Sequence, residues 1–225
     1  MESDTNKLDI EGLLNLKKKE MKTTDSDEIH RLHLALQSIQ KRLDYCEYHF
    51  YEFKDYSTKE YLLKDIISKP EPNCISARVI FEASTYAFIQ NLHAVIDSLP
   101  YALNIIFTVE PEFDEQYIGW NKRFIKKYKG YSFYCPLDQM FKNDLLSKLK
   151  RLSNNIKHKH LIRIKNGGDT LCFDDFTYKH QSNDVVITNQ NVEKFLVESH
   201  DKLIPQLLGL YTQIKNAKKK ELSAL

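Results

Sequence analysis

Residues 75–99 constrain the fold most strongly, because they form one long apolar segment with helical spacing. Apolar side chains recur there at steps of three and four residues, at Val79, Ile80, Phe81, Phe88, Ile89, Leu92, Val95, Ile96 and Leu99. A helix that is apolar on most sides is surrounded by other elements. Glycine and proline number only 6 each in 225 residues, which favours long helices around it. The sequence therefore predicts a mainly α-helical bundle with this helix at its centre, kinked at Pro100.

Three more long helices are predicted by the same spacing. The first covers residues 28–56 and is capped by Asp27. The second covers residues 136–158, and the third covers the chain from residue 189 onward, with a bend at Pro205. Residues 161–188 alternate instead, and residues 166–169 form an Asn-Gly-Gly-Asp turn. We therefore expect an up-down helical bundle with a small antiparallel β insert, a hairpin or three strands, between the third and last long helices.

Domain boundaries follow from this pattern. Residues 1–27 are predicted to be an N-terminal extension with at most a short docked element, and residues 28–220 to be a single helical domain. The β insert lies within that domain, and residues 221–225 are a tail. Residues 69–73 contain two prolines and are predicted to break the first helical region from the second.

Composition excludes several classes of protein. Hydrophobic residues make up 42% and charged residues 28%, as in globular proteins, and a net charge of +2 is too small to coat nucleic acid. The four cysteines form no Cys-x-x-Cys pair, so we expect free thiols in a reducing cytosol. No third ligand accompanies His30 and His33, and there is no glycine-rich phosphate loop, so we expect neither a metal nor a cofactor. The acidic N-terminus is not a signal peptide, and no apolar run is long enough to span a bilayer. These features predict a cytoplasmic protein.

A polar cluster ends the third predicted helix. Arg151 and His158 are seven residues apart, close to two helical turns, so they share one face. Asn154 and Asn155 flank that face. A permanent cation, two amides and an imidazole suit a phosphate ester better than a core. Lys157 adds local positive charge, although a solvated lysine is the simpler interpretation of that residue.

The spacing alone is weak evidence, since Arg42 and His49 match it equally well. That first match contains Asp44 and Glu47, which would repel a phosphate. The second match is locally basic and lies at a helix C-terminus, where the macrodipole favours a protonated imidazole. The alternative is that Arg151 and His158 only solvate the end of a surface helix.

The octapeptide at residues 151–158 resembles the signature of the HEPN superfamily, the higher eukaryotes and prokaryotes nucleotide-binding domains: an arginine, four to six residues and a histidine, near the end of the penultimate helix. The resemblance implies a helical bundle and a metal-independent endoribonuclease, with Arg151 and His158 catalytic and Asn154, Asn155 and Lys157 binding or orienting the substrate. A polar stripe on the central helix contains Gln90, His93, Asp97, Tyr101 and Asn104. If Asp97 reaches Arg151, it would position the guanidinium; the alternative is that Asp97 and His93 form a hydrogen-bonded polar pair in the bundle core. The implied assembly is a homodimer with the two motifs facing each other.

The resemblance also implies RNA as the substrate, because cleavage uses the 2′-hydroxyl, and a toxin or phage-defence effector held inactive by an antitoxin or regulatory protein. Leu152 stands where many members of the superfamily have a polar residue. Two other functions therefore stay open. One is a non-catalytic module that binds RNA, a nucleotide or a protein, and the other is a helical dimerisation scaffold.

Overall fold

The computed structural model describes residues 7–20, 26–68, 74–109, 118–180 and 183–223. Its helices are α1 (Ile10–Glu20), α2 (Ser26–Tyr56), α3 (Lys59–Ile67), α4 (Ala77–Phe107), α5 (Lys122–Lys126), α6 (Tyr134–Phe141), α7 (Asp144–His158), α8 (Val192–Glu198) and α9 (Ile204–Ser223). The strands are β1 (Ile164–Asn166), β2 (Leu171–Phe173), β3 (Phe176–His180) and β4 (Asn183–Ile187). The prediction of a mainly helical fold with a small antiparallel β region is confirmed.

The first of two compact units comprises Met1–Arg42, Ala94–Phe141 and Ile204–Leu225. Helix α1 packs against α9, and Leu13 and Leu14 of α1 are buried. An aromatic cluster closes another part of this core, where the rings of Phe107, Tyr128, Tyr131 and Phe133 lie 4.6–6.2 Å apart. Part of the predicted N-terminal extension is therefore a docked helix.

The second unit comprises Leu43–His93 and Lys142–Leu203. Two antiparallel hairpins, β1–β2 and β3–β4, form separate two-stranded sheets, so the insert is neither one hairpin nor a three-stranded sheet. Helix α7 packs against β3. The β1–β2 turn is tied to α3 through Asn166, whose amide nitrogen donates to the Leu62 carbonyl and to Asp65, both at 2.9 Å.

The single helix predicted for residues 136–158 is wrong, because two helices occupy that stretch. The apolar spacing continues from Phe141 to Leu145, which conceals the break. At the break, the Asn143 side chain accepts a hydrogen bond from the Leu146 N–H at 3.2 Å and caps α7. Pro136 is accordingly the third residue of α6 rather than the start of a long helix.

The chain after residue 191 also differs from one bent helix. Helix α8 is followed by a π-helical turn, Ser199–Leu203, and Pro205 is the second residue of α9. A proline lacks an N–H and clashes with the carbonyl four residues earlier in an α-helix. In the π turn directly before Pro205, hydrogen bonds join residues five apart instead of four, so the turn differs from the α-helical arrangement in which a proline clashes. The predicted break at residues 69–73, the first six residues and the end of the predicted tail fall outside the described residues.

Candidate functional site

Helix α7 carries the Arg151–His158 motif in its last two turns. Asn143 caps the start and Asp144 occupies the first turn, where negative charge complements the helix dipole. The helix ends at His158, and the Lys159 N–H donates to the Asn155 carbonyl at 2.9 Å. The position of His158 at a helix C-terminus matches the sequence-based interpretation.

The buried side of α7 explains the residue that follows the arginine. Leu152 is 1% exposed, and Leu146 and Leu149 also face the core. A polar side chain at position 152 would enter this apolar core and lose its hydrogen bonds to water. Leu152 therefore serves packing.

Arg151 and Asn155 present two unpaired polar atoms one helical turn apart. Arg151 Nε and Asn155 Oδ1 are both buried and have no hydrogen-bond partner among the described residues, and Asn155 as a whole is 6% exposed. A buried donor or acceptor without a partner costs about 1–3 kcal/mol. A polar ligand that offers an acceptor to the guanidinium and a donor to the amide would remove that cost.

His158 lies at the solvent end of the same face. Its side chain is exposed, while Asn154 and Arg151 are partly buried. The face therefore runs from a buried amide to an exposed imidazole. The imidazole of His158 is therefore accessible to solvent.

Lys157 is directed elsewhere. It precedes His158 by one residue, roughly 100° around the helix. Its Nζ lies 3.3 Å from Nδ1 of His93, which is on α4 and only 3% exposed. The lysine ammonium group has only donors, so Nδ1 of His93 is the acceptor in this contact. The sequence showed no sign of this contact, because it depends on how two helices pack.

Asp97 is exposed on α4, four residues after His93. It belongs to the first compact unit, whereas Arg151, Asn154, Asn155, Lys157 and His158 belong to the second. The orienting role predicted for Asp97 stays a prediction.

The competing match at Arg42 and His49 has a different environment. His49 is half-buried, and burial lowers the pKa of its imidazole despite the opposing charge of Glu52. Its Nδ1 is buried without a hydrogen-bond partner among the described residues. Burial thus disfavours the protonated form that a proton donor needs.

Metal ligands do not gather in the part of the chain that the structure describes, where no three His, Cys, Asp or Glu side chains are suitably grouped. The four cysteines, all within the described residues, form no disulfide: Cys46 is buried, Cys172 is partly buried, and Cys74 and Cys135 are exposed. Within the described ranges, no helix combines the length and the hydropathy that crossing a bilayer requires.

Taken together, the second unit places Arg151, Asn154, Asn155 and His158 along one side of α7, and turns Lys157 toward His93. Comparisons with protein-family models, with curated proteins and with solved structures found no match for this chain.

Proposed function

We propose that this protein is a HEPN-type, metal-independent endoribonuclease that acts as a homodimer. Arg151 binds the scissile phosphate, His158 transfers protons, and Asn154 and Asn155 orient the phosphate or the imidazole. The proposal includes a bundle of the HEPN type and a role as a toxin or phage-defence effector restrained by a partner.

The observation that carries the proposal is the pair of unpaired polar atoms, Arg151 Nε and Asn155 Oδ1, on the face that ends in exposed His158. A guanidinium binds phosphate oxygens through fixed N–H groups. The unpaired Oδ1 of Asn155, one turn away, is an acceptor, so it can bind a ribose hydroxyl of the same strand rather than the phosphate itself. The guanidinium suits phosphate binding, and the imidazole beyond it suits acid–base chemistry.

In the proposed cleavage reaction, all bonds and protons are accounted for by the RNA and the protein, without a cofactor. The 2′-hydroxyl oxygen bonds to the adjacent phosphorus and gives its proton to a neutral His158. The bond from phosphorus to the 5′ oxygen breaks, and that oxygen takes a proton from a protonated His158 of a second copy. The products are a 2′,3′-cyclic phosphate and a 5′-hydroxyl. Arg151 stabilises the charge on the phosphorane oxygens.

Cleavage of RNA in the presence of EDTA tests the proposal. His158→Ala should lower the cleavage rate about 100- to 10,000-fold, the usual contribution of a general acid or base. Arg151→Ala should cause a comparable loss. A DNA strand of the same sequence should resist cleavage, because it lacks the attacking hydroxyl.

The matched control is the other arginine–histidine pair with the same spacing. Arg42→Ala and His49→Gln should retain wild-type cleavage. Activity that requires a divalent metal, or that survives both Arg151→Ala and His158→Ala, contradicts the proposal.

A non-catalytic binding module is the second candidate, and a row of exposed rings favours it. Tyr45, Tyr48 and Tyr51 of α2 are 47%, 58% and 54% exposed and follow steps of three residues. Aromatic rings in such a row can stack on bases or on a partner. RNA binding without turnover, at any enzyme concentration, would favour this function.

A further inference from the structure

The β3–β4 hairpin is fastened to the start of α7 by three side chains. The Tyr178 hydroxyl donates to Asp144 Oδ1 at 2.5 Å. Lys148 Nζ lies 3.0 Å from the other oxygen of Asp144 and 5.9 Å from the centre of the Tyr178 ring. The three side chains therefore all contact one another, and the Lys148 ammonium group lies between the Asp144 carboxylate and the Tyr178 ring. The Lys148 side chain is 21% exposed, so it is held by these contacts and remains partly accessible to solvent.

Lys148 lies on the same stripe of α7 as the motif. Asp144, Lys148, Arg151 and Asn155 follow one another at steps of four, three and four residues, which keeps them on one side of a helix. Lys148 precedes Arg151 by about 4.5 Å along the helix axis. Two cations on successive turns can each meet one of two neighbouring phosphates in a strand.

Asp144 is ion-paired with Lys148, and part of its negative charge is offset by other groups. Its carboxylate is in the first turn of α7, where the positive end of the helix dipole offsets part of its charge. It also accepts the hydrogen bond from Tyr178. Burial, followed by this hydrogen bond to Asp144, raises the pKa of Tyr178, so the phenol stays protonated and remains a donor. Lys148 is thereby oriented in advance, which lowers the entropy lost when a ligand binds.

We propose that Lys148 is a second phosphate-binding residue, positioned by Asp144 and Tyr178, and that the substrate is an RNA strand whose successive phosphates contact Arg151 and Lys148. This inference rests on the proposed function and names its substrate class. It also gives the β3–β4 hairpin a role, because the hairpin supplies Tyr178. A mononucleotide would occupy only one of the two cations.

Salt dependence of RNA binding tests this proposal. In a His158→Ala background, binding of a fluorescent single-stranded RNA is measured by anisotropy across a series of KCl concentrations. When a variant neutralises one phosphate fewer on a single strand, the slope of log affinity against log salt falls in magnitude by about 0.7. Lys148→Met should weaken binding and reduce the slope by about that amount, whereas Lys148→Arg should retain the slope.

Lys150→Met is the matched control, since Lys150 is exposed two residues further on, roughly 200° around the same helix. It should leave the slope unchanged. Tyr178→Phe keeps the charge of Lys148 but releases Asp144, so it should weaken binding without changing the slope. Circular dichroism of each variant checks that it is folded.

Equal slopes for Lys148→Met and Lys150→Met would overturn the inference, because the lysines would then act only as diffuse charge. The proposed nuclease is tested separately, by cleavage with His158 present. If the protein does not cleave RNA, but Lys148→Met alone reduces the slope of log affinity against log salt, then the phosphate site is supported and the nuclease proposal is refuted. A protein that binds no RNA refutes both.

Discussion

Two nearly buried lysines in the first unit share one carboxylate, and this arrangement permits a quantitative prediction. Lys17 and Lys218 are 3% and 1% exposed. Glu20 contacts both, at 3.1 Å from Lys17 Nζ and 2.5 Å from Lys218 Nζ. Glu28 lies 3.4 Å from Lys17, and Glu221 lies 3.1 Å from Lys218. The cluster joins α1, α2 and α9 within that unit.

Glu20→Gln keeps the shape of the side chain and removes its charge. Breaking a fully buried ion pair costs about 3–5 kcal/mol, because the remaining charge is left uncompensated. Here each lysine keeps a second glutamate, and Glu20 is itself 31% exposed, so water and those neighbours absorb part of the loss. We expect the free energy of unfolding to fall by about 2 kcal/mol. For a chain of 225 residues this lowers Tm by about 4–8 °C.

The pH dependence has a definite sign. Burial raises the pKa of Glu20, but hydrogen bonds from Lys218 and Lys17 outweigh it, so the net pKa lies below its ordinary 4.5. A carboxyl with a lowered pKa contributes its full stability above 4.5, and this contribution is lost as the pH falls through the folded-state pKa. The difference between wild type and Glu20→Gln should therefore be constant near neutral pH and shrink below about 4.5.

Urea unfolding followed by circular dichroism, at several pH values, measures both effects. Glu47→Gln is the control, because Glu47 is exposed on α2 and its loss should change stability by less than about 0.5 kcal/mol. If Glu20→Gln unfolds at the same urea concentration as Glu47→Gln at neutral pH, the cluster does not stabilise the fold. A difference that grows on acidification would contradict the assigned sign.

Two further predictions concern the second unit. Asn143→Ala removes the cap of α7 and should lower stability by about 1 kcal/mol, measured by thermal unfolding, while Asn143→Asp should restore most of it. His49→Gln tests the buried imidazole, whose lowered pKa makes wild-type stability fall as the pH drops through 6.5, the ordinary pKa of histidine. His49→Gln should lose less stability over that interval in urea titrations, and an identical loss in both proteins would exclude a buried neutral His49.

Periodicity predicted the long helices because burial selects side chains at helical spacing, as in α2 and α4. It missed the break before α7, where apolar spacing runs on across residues 142–143 and only Asn143 marks a new helix. The lysine run after Leu16 has the pattern of a solvated segment, whereas Lys17 is buried by its glutamate partners. Such pairing depends on residues distant in the chain.

Only the part of the candidate site that lies within α7 could be predicted from the sequence. Helical geometry alone determines that Arg151, Asn155 and His158 lie on the same side of α7. The contacts of Lys157 with His93 and of Lys148 with Tyr178 join elements far apart in the sequence, and spacing contains no information about them. The burial of Leu152 likewise became visible only with the core in place.

The attachment of the β3–β4 hairpin to α7 limits how this chain can be shortened. A two-stranded hairpin is marginally stable alone, and this one buries Phe176 and Tyr178 while Val186 on the other strand stays 65% exposed. The hairpin is therefore held in place by its packing against α7. In turn, Tyr178 of the hairpin donates a hydrogen bond to Asp144 in the first turn of α7. The hairpin therefore cannot be deleted without consequence for α7. A shortened chain that omits it loses the Tyr178 hydroxyl that binds Asp144 and the Tyr178 ring that packs against Lys148.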